Sequence, residues 1–423
     1  MKQMSGIGEM WRHKRVLTAS LVGTAVEFYD FYIYATAASL IFPALFFPSS
    51  SPTAQLMASY GSLALAFFAR PLGAAVFGHY GDRVGRKVTL VTSLMLMGGC
   101  TLAIGFLPTH AQIGWWAPLI LCLLRFGQGL GLGGEWGGAA LLAVENAPPG
   151  WRARFGMFPQ LGAPVGFIAA NGLFLILGTI LTEEEFFAWG WRLPFLGSAV
   201  LVFLGLWVRL KLTETPEFAA AQAEAPPPAM PLASLFKHHL GAAIAGTFAV
   251  VACFAIYYIA TAFALGYGTT TLKIDRSDFL SIQLGAILFM ALSILIAGWW
   301  ADKTSPTRVL AWGCVGTVFM GLIFGPMMGA GMLLPIFLIL SLALFLMGFV
   351  YGPLGAYLPA LFPIQLRYTG ASFAFNLGGI LGGALAPIVA TWLIAVQGVE
   401  FVGLYMSAAA AISLAGLWWT SRR

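Results

Sequence analysis

Ten residues between two long apolar runs, at positions 78–87, read Gly-His-Tyr-Gly-Asp-Arg-Val-Gly-Arg-Lys. They form the densest cluster of charge in a chain whose residues are 59% hydrophobic and only 9% charged. A short basic loop between two such runs must lie in water, and in membrane proteins such loops concentrate on the cytoplasmic side. The stretch therefore predicts a membrane protein and sets its orientation.

The composition of the whole chain points the same way. A soluble domain carries roughly 25% charged residues, whereas this chain has a mean hydropathy of +0.86. Its apolar runs are long and do not alternate with polar residues, which favours helices over a barrel. The net charge of +6 comes from Lys and Arg in alternate loops, so it indicates orientation and no nucleic-acid partner. The four cysteines lie inside apolar runs without metal-ligand spacing, and we expect neither a metal nor a cofactor.

Twelve apolar runs are long enough to cross a bilayer. In the first half they lie near residues 16–47, 54–78, 88–107, 115–145, 153–181 and 191–210. In the second half they lie near residues 240–268, 278–301, 308–328, 332–360, 370–395 and 399–420. We name these runs spans 1 to 12. The fold class they predict is an all-α membrane protein with twelve transmembrane helices.

A polar, Pro-rich segment divides the chain into two halves. It covers residues 212–238, and we interpret it as a cytoplasmic linker between six-helix bundles at residues 1–211 and 239–423. A weak repeat supports the division, because Gly78, Asp82 and Arg83 recur as Gly298, Asp302 and Lys303. An even number of spans, with the basic loops inside, predicts that both termini are cytoplasmic.

With this loop, repeat and span count, the chain resembles the major facilitator superfamily. Within it the chain is similar to the metabolite:H+ symporter family at residues 27–31 (Glu-Phe-Tyr-Asp-Phe), 70–73 (Arg-Pro-Leu-Gly) and 133–136 (Gly-Gly-Glu-Trp). Residues 113–118 and 133–138 look most like its shikimate-carrier branch. The resemblance implies a monomeric carrier of the bacterial inner membrane that couples uptake of a small organic acid to protons.

Five ionisable residues lie at membrane depth, where such groups are costly and indicate function. They are Glu27, Asp30, Arg70, Arg125 and Glu135. Helix depth and helix faces predict two ion pairs, Asp30 with Arg125 and Arg70 with Glu135. Three acids against two bases leave one carboxylate without a basic partner, and such a group tends to hold a proton. Glu27 or Asp30 is the candidate, and since they lie three residues apart on one face they should titrate as a coupled unit. Asp30 is favoured as the essential group because the family pattern matches there and it faces Arg125.

These charges suggest a coupling mechanism. Protonation of Asp30 would release Arg125, whose planar fork suits a substrate carboxylate. The alternative is that Asp30 and Arg125 form a purely structural ion pair.

Neutral polar and aromatic residues are candidates for the rest of the substrate site. Their groups can hydrogen-bond substrate hydroxyls, although each also suits a helix–helix hydrogen bond. Besides Arg125, the candidates are Tyr29, Trp136, Gln160, Asn171, Tyr257, Tyr258, Gln283, Tyr351 and Asn376.

The basic loops are candidates for a cytoplasmic gate. The resemblance implies that Arg86 bridges Glu145 in an outward-open state and that Asp82 faces the start of span 11. The alternative is that these loops only set orientation. The candidates are Gly78, Asp82, Arg83, Gly85, Arg86, Lys87, Glu145, Arg152, Asp302 and Arg367.

Two rival functions use the same fold, a facilitator and a drug/proton antiporter. An integral-membrane enzyme is disfavoured because the spans hold no His cluster and no Ser/His/Asp set, and a two-half repeat disfavours a channel. Shikimate-like acids, dicarboxylic metabolites and zwitterionic osmolytes remain open as substrates.

Overall fold

The chain folds almost entirely into helices. The structure, a computed structural model, describes residues 8, 10, 12–84, 86–133, 135–210 and 231–422. Within these ranges it leaves out the side chains of residues 78–84, 86–90, 208, 209, 231 and 365. Among the described residues, eleven helices are long and apolar enough to cross a membrane, and the apolar helix at Val91–Phe106 supplies a twelfth. The predicted fold class is confirmed.

The observed helices follow the predicted spans to within a few residues. Spans 1 to 6 are Lys14–Leu40 with Phe42–Phe46, Pro52–Val84, Arg86–Phe106, Trp116–Leu132 with Glu135–Glu145, Arg152–Ile180, and Leu193–Leu210. Spans 7 to 12 are Leu240–Tyr258 with Ala264–Thr270, Arg276–Lys303, Pro306–Gly329, Leu333–Tyr351 with Leu354–Ala360, Arg367–Gly379 with Ala386–Val396, and Glu400–Ser421. Short helices His110–Ile113, Glu183–Ala188 and Pro231–His238 and the 3₁₀ turns Gly190–Arg192 and Ile364–Leu366 connect them.

Two of the spans contain a wider helical turn near their middle. Span 7 passes through a π-helical segment at Ile259–Phe263, and span 11 through one at Ile380–Ala384. Such segments interrupt the regular i→i−4 ladder and often occur at functional sites. Both spans belong to the second half of the chain and face the first half across the centre of the molecule.

The bundle has two ends, which we name by the chain termini. At the terminal end span 1 begins and span 12 ends, and the ring of His13 packs against Phe155 at the start of span 5. The helix Pro231–His238 also lies here, with Phe236 packed against Phe373 of span 11. The opposite end is the distal end, where Arg192 donates to the backbone oxygen of Leu107. Of the linker predicted at residues 212–238, residues 212–230 lie outside the described residues and the remainder forms the helix Pro231–His238.

Spans 2 and 4 approach so closely that glycine is required between them. A Cβ at Gly129 would overlap the backbone oxygen of Ala66. A backbone atom cannot move aside as a side chain can, so we expect Gly129→Ala to destabilise the fold by about 1–3 kcal/mol. The measurement is the melting temperature of the purified protein in detergent. Gly172→Ala on span 5 is the control, because no atom lies within 4 Å of its Cβ position; equal melting temperatures would contradict the prediction.

Candidate functional site

A central cavity lies between the two halves of the bundle. Its empty space is about 570 Å³, including the part open to solvent. Spans 1, 2, 4 and 5 of the first half and spans 7, 10 and 11 of the second contribute its wall. The wall is Glu27, Phe28, Phe31, Tyr32, Arg70, Leu132, Trp136, Ala163, Cys253, Phe254, Tyr257, Tyr258, Met347, Tyr351, Phe375 and Asn376.

Half of the residues predicted to bind substrate lie on this wall. They are Trp136, Tyr257, Tyr258, Tyr351 and Asn376. Tyr257 and Tyr351 are both buried, and the ring of Tyr257 stacks on that of Tyr32. Asn376 donates from Nδ2 to the backbone oxygen of Gly133, 2.9 Å away, and so connects span 11 with span 4. The cavity therefore offers polar groups from both halves to one ligand.

The other five predicted binding residues lie away from the cavity wall. Tyr29 donates to the backbone oxygen of Pro194, and Asn171 accepts from Thr36. Gln283 donates to Ala260 and Thr261, where span 7 is π-helical. Gln160 accepts from Trp136 and donates to the backbone of Tyr351, and Arg125 has no exposed surface. These groups connect helices because a buried polar group needs a partner within the protein.

Arg70 is the basic residue of the cavity wall. Its guanidinium carbon lies 4.7 Å from the ring centres of both Phe31 and Phe67, and its Nε has no hydrogen-bond partner. The predicted ion pair with Glu135 is not formed, and Glu135 instead accepts a hydrogen bond from Ser93. The prediction failed because helix depth and face do not determine which way a long side chain points. Arg70 thus directs its charge toward the cavity.

The predicted direct ion pair between Asp30 and Arg125 is not formed either. Arg125 donates from Nη1 to Gln128 Oε1 over 2.9 Å, and Gln128 Nε2 donates to Thr101 Oγ1 over 2.8 Å. Thr101 Oγ1 lies 3.2 Å from Asp30 Oδ2. The two charges are therefore connected through two neutral side chains. Asp30 Oδ1 and Arg125 Nε and Nη2 are buried without a hydrogen-bond partner.

The halves meet on both sides of the cavity. Toward the terminal end, the rings of Trp136 and Phe375 stack with their centres 3.8 Å apart. Toward the distal end, the Tyr60 hydroxyl donates to the backbone oxygen of Ala262 over 2.6 Å. At the distal rim Arg276 and Glu183 form an ion pair at 3.3 Å. In the described part of the chain, the two halves are therefore in contact on both sides of the cavity.

One residue predicted for the gate, Asp302, makes a contact between the halves at the terminal end. Asp302, at the end of span 8, accepts from the backbone nitrogens of Ala153 and Arg154 at the start of span 5 over 2.8 and 3.0 Å. A helix N-terminus carries partial positive charge, which attracts this carboxylate. Arg152 lies beside these residues and Arg367 starts span 11. Gly85 and the side chains at Asp82, Arg83, Arg86 and Lys87 lie outside the described part of the chain, so the predicted Arg86–Glu145 bridge stays a prediction.

Comparison with known proteins identifies the family. The family model described as "Sugar (and other) transporter" matches residues 16–230. The inner membrane metabolite transport protein YhjE of Escherichia coli K12 is 48% identical over 408 residues, which cover 95% of this chain and 93% of that protein. The chain belongs to this transporter family. The shikimate transporter of the same organism is 36% identical over 386 residues, covering 90% of this chain and 88% of that protein.

Solved structures confirm the fold of this family member. The proton:xylose symporter XylE, of the major facilitator superfamily, superposes with a TM-score of 0.73 at 15% identity. The alignment covers 96% of this chain and 94% of that one. The chain is accordingly an integral membrane transporter of the major facilitator superfamily and not an enzyme. Its metabolite-transporting relatives agree with the metabolite:H+ symporter resemblance of residues 27–31 and 133–136.

Several residues of the site were not predicted from the sequence. Phe31, Tyr32, Phe254, Met347 and Phe375 line the cavity, yet in sequence they are ordinary apolar residues of a membrane helix. Thr101 is a single hydroxyl residue in an apolar run, and nothing in the sequence around it indicates a role beside Asp30. Gln128 lies one helical turn from Arg125, and that spacing is the signal that could have placed it beside the charge.

Proposed function

We propose that this transporter is a proton-coupled symporter that takes up a small organic acid across the bacterial inner membrane. One observation carries the proposal: the cavity wall holds Arg70, whose Nε has no hydrogen-bond partner, together with Tyr257 and Tyr351. A guanidinium matches a carboxylate, and tyrosine hydroxyls match the hydroxyl groups of a hydroxy acid. The shikimate transporter of Escherichia coli, a relative at 36% identity, is named for an acid of this class.

The substrate carboxylate is assigned to Arg70 in place of Arg125, the residue that the sequence suggested. Arg125 has no exposed surface and lies outside the cavity wall, whereas Arg70 is on that wall. Glu27 shares the cavity, and its negative charge favours the Arg70 cation while no substrate is bound. The rings of Phe31 and Tyr258, 5.9 Å apart, give the substrate body an apolar contact.

The proton is assigned to Asp30. The side chain is 1% exposed and one of its oxygens has no hydrogen-bond partner, a position that favours the neutral carboxyl when no cation is adjacent. Protonation at this site, together with loading of an anion at Arg70, moves no net charge across the membrane. The pH gradient then supplies about 1.4 kcal/mol per unit for each proton.

Alternating access requires the contacts at the two ends of the bundle to break in turn. Opening toward the terminal end separates Asp302 from span 5 and Trp136 from Phe375, and opening toward the distal end separates Tyr60 from Ala262. A contact present in only one state biases the equilibrium toward that state. With the basic loops inside, the terminal end is the cytoplasmic one.

A thermal-shift panel on the purified protein tests the proposed substrate class. We expect stabilisation by shikimate and other small hydroxylated acids, since a ligand at 100 times its Kd adds about 2.7 kcal/mol. Two neutral compounds, xylose and the methyl ester of shikimate, are the controls for charge. A lipophilic amine is the test compound for drug antiport. Stabilisation by the ester equal to that by the acid, or by the amine alone, would contradict the assignment of an organic acid.

A further inference from the structure

Two neutral side chains, Thr101 and Gln128, connect the proposed proton site with a buried arginine. Both are inaccessible to solvent, at 0% and 1% exposure, and both lie off the cavity wall. Their hydrogen bonds run from Arg125 through Gln128 and Thr101 to Asp30. The connection runs from Arg125 and Gln128 on span 4 through Thr101 on span 3 to Asp30 on span 1.

The orientation of the Gln128 amide is fixed by its neighbours. Its Oε1 must face Arg125, because a guanidinium is only a donor. Its Nε2 is therefore directed at Thr101, whose oxygen has to accept. The Thr101 hydroxyl keeps one proton of its own, and two acceptors lie within reach of it, Asp30 Oδ2 at 3.2 Å and the backbone oxygen of Met97 at 3.0 Å.

The Thr101 hydroxyl thus suits both protonation states of Asp30. When Asp30 is ionised, the hydroxyl donates to Oδ2, and every hydrogen bond from the arginine cation to the carboxylate points the same way. Chains aligned in this manner polarise and strengthen one another. When Asp30 carries a proton on Oδ2, the carboxyl donates to Thr101, and the hydroxyl turns to Met97. No heavy atom has to move, but the alignment with Arg125 is lost.

We propose that Thr101 and Gln128 are positioning residues that form a hydrogen-bond relay coupling the protonation of Asp30 to Arg125. The relay takes the place of a direct ion pair. Protonation of Asp30 then changes the hydrogen bonds that lead to Arg125 without direct contact between the two side chains. The proposal rests on the proposed function in assigning the proton to Asp30. It goes beyond that function because it names Thr101 and Gln128 as the groups that connect the proton on Asp30 with Arg125 of span 4.

Other charged and titratable groups surround Asp30, and the test has to keep them constant. Glu135 acts on Asp30 electrostatically, as Asp30 does on Tyr29. The groups retained in every variant are Glu27 and Tyr29 of span 1, Tyr34 at the distal side of that span, Arg70 of span 2, Arg125 and Glu135 of span 4, and Tyr257 and Tyr258 of span 7.

The test is a pH titration of the Asp30 carboxyl in the purified, lipid-reconstituted protein, without any substrate. Infrared difference spectra report the carbonyl stretch of a protonated carboxyl, and the band that disappears in Asp30→Asn belongs to Asp30. Thr101→Val keeps the shape of the side chain and removes the hydrogen bond to the ionised form. We expect the midpoint of this band to move to higher pH by about one unit or more.

Three further variants separate a relay from a merely structural role. Thr101→Ser keeps the hydroxyl and should keep the wild-type midpoint. Thr317→Val removes a buried hydroxyl that bonds only the backbone of Gly313, in span 9, and should also leave the midpoint unchanged. Gln128→Met removes the link to Arg125, so adding Thr101→Val to it should shift the midpoint less than in the wild-type background.

An unchanged midpoint in Thr101→Val would overturn the relay, and so would a shift of the same size in the Gln128→Met background. If Thr101→Val does not fold, Thr101→Ala replaces it with the same expected direction. Since the titration needs no substrate, its failure is distinguishable from failure of the proposed function. A wild-type protein that shows no Asp30 band would refute the assignment of the proton itself.

Discussion

Replacing Asp30 with asparagine is expected to abolish concentrative uptake while leaving exchange of substrate across the membrane intact. Asparagine has nearly the same shape and still accepts from Thr101, but it cannot bind and release a proton. The cavity and its closing contacts do not involve Asp30 directly, so the loaded carrier should still change its conformation. Coupled to one proton, the wild type can accumulate substrate about tenfold per unit of pH gradient, whereas the variant should reach only an equal concentration on both sides.

Labelled shikimate in proteoliposomes provides the measurement, with uptake against a gradient and counterflow recorded on the same preparation. Asp278→Asn is a matched control, because Asp278 is an exposed carboxylate at the start of span 8. Accumulation of shikimate by Asp30→Asn at the wild-type level would contradict the assignment of the transported proton to Asp30. Loss of both accumulation and counterflow would mean that Asp30 is needed for the conformational change itself, which also contradicts the assignment.

Replacing Arg70 with glutamine is expected to remove the preference of the cavity for an acid. Losing one partner of a buried, hydrogen-bonded charge pair costs about 2–5 kcal/mol, which corresponds to at least a thirtyfold weaker Kd for shikimate. The methyl ester of shikimate, which carries no charge, should bind the variant about as well as the wild type. Arg70→Lys retains the charge but not the fork and should lie between the two.

Isothermal titration of the acid and the ester against the same preparations measures both affinities. The ratio between them is the informative quantity, because a variant that is merely less stable loses affinity for both ligands. Arg125→Lys supplies the comparison, since Arg125 lies off the cavity wall and should leave the ratio unchanged. The opposite pattern, a ratio that collapses in Arg125→Lys and persists in Arg70→Gln, would restore Arg125 as the substrate ligand.

The structure also separates two carboxylates that the sequence treated as one coupled unit. Glu27 lines the cavity, whereas Asp30, three residues on, lies off the wall and contacts Thr101. One helical turn is enough to give them different tasks, because one side chain faces the substrate space and the other faces span 3. In the proposed mechanism, a charged substrate in the cavity therefore acts on Glu27, whereas the protonation of Asp30 depends on its hydrogen bond with Thr101.

The sequence predicted the positions of the membrane spans well but not the irregular turns inside them. The spans were predicted to within a few residues because each requires a long apolar run between polar loops. The π-helical segment at Ile259–Phe263 was not, since contacts with other helices, such as the hydrogen bond from Tyr60 to Ala262, help to decide it.

The partners of the buried charges were the least predictable part of the site. Asp30 and Arg125 are both buried, but periodicity could not show that Gln128 and Thr101 lie between them. Likewise Gln160 and Gln283 look like ligand-binding residues in sequence, yet the structure uses them to join helices. A buried amide takes the nearest partner with suitable geometry, and sequence spacing does not reveal that partner.

The central claim is that an organic acid and a proton enter together, and the sign of a pH change tests it most directly. De-energised cells that express the transporter are suspended in weakly buffered medium, and shikimate is added as a pulse. The account predicts transient alkalinisation of the medium that is absent in Asp30→Asn. Uptake of shikimate with no pH change would indicate a facilitator, and acidification would indicate antiport; either result would contradict the account.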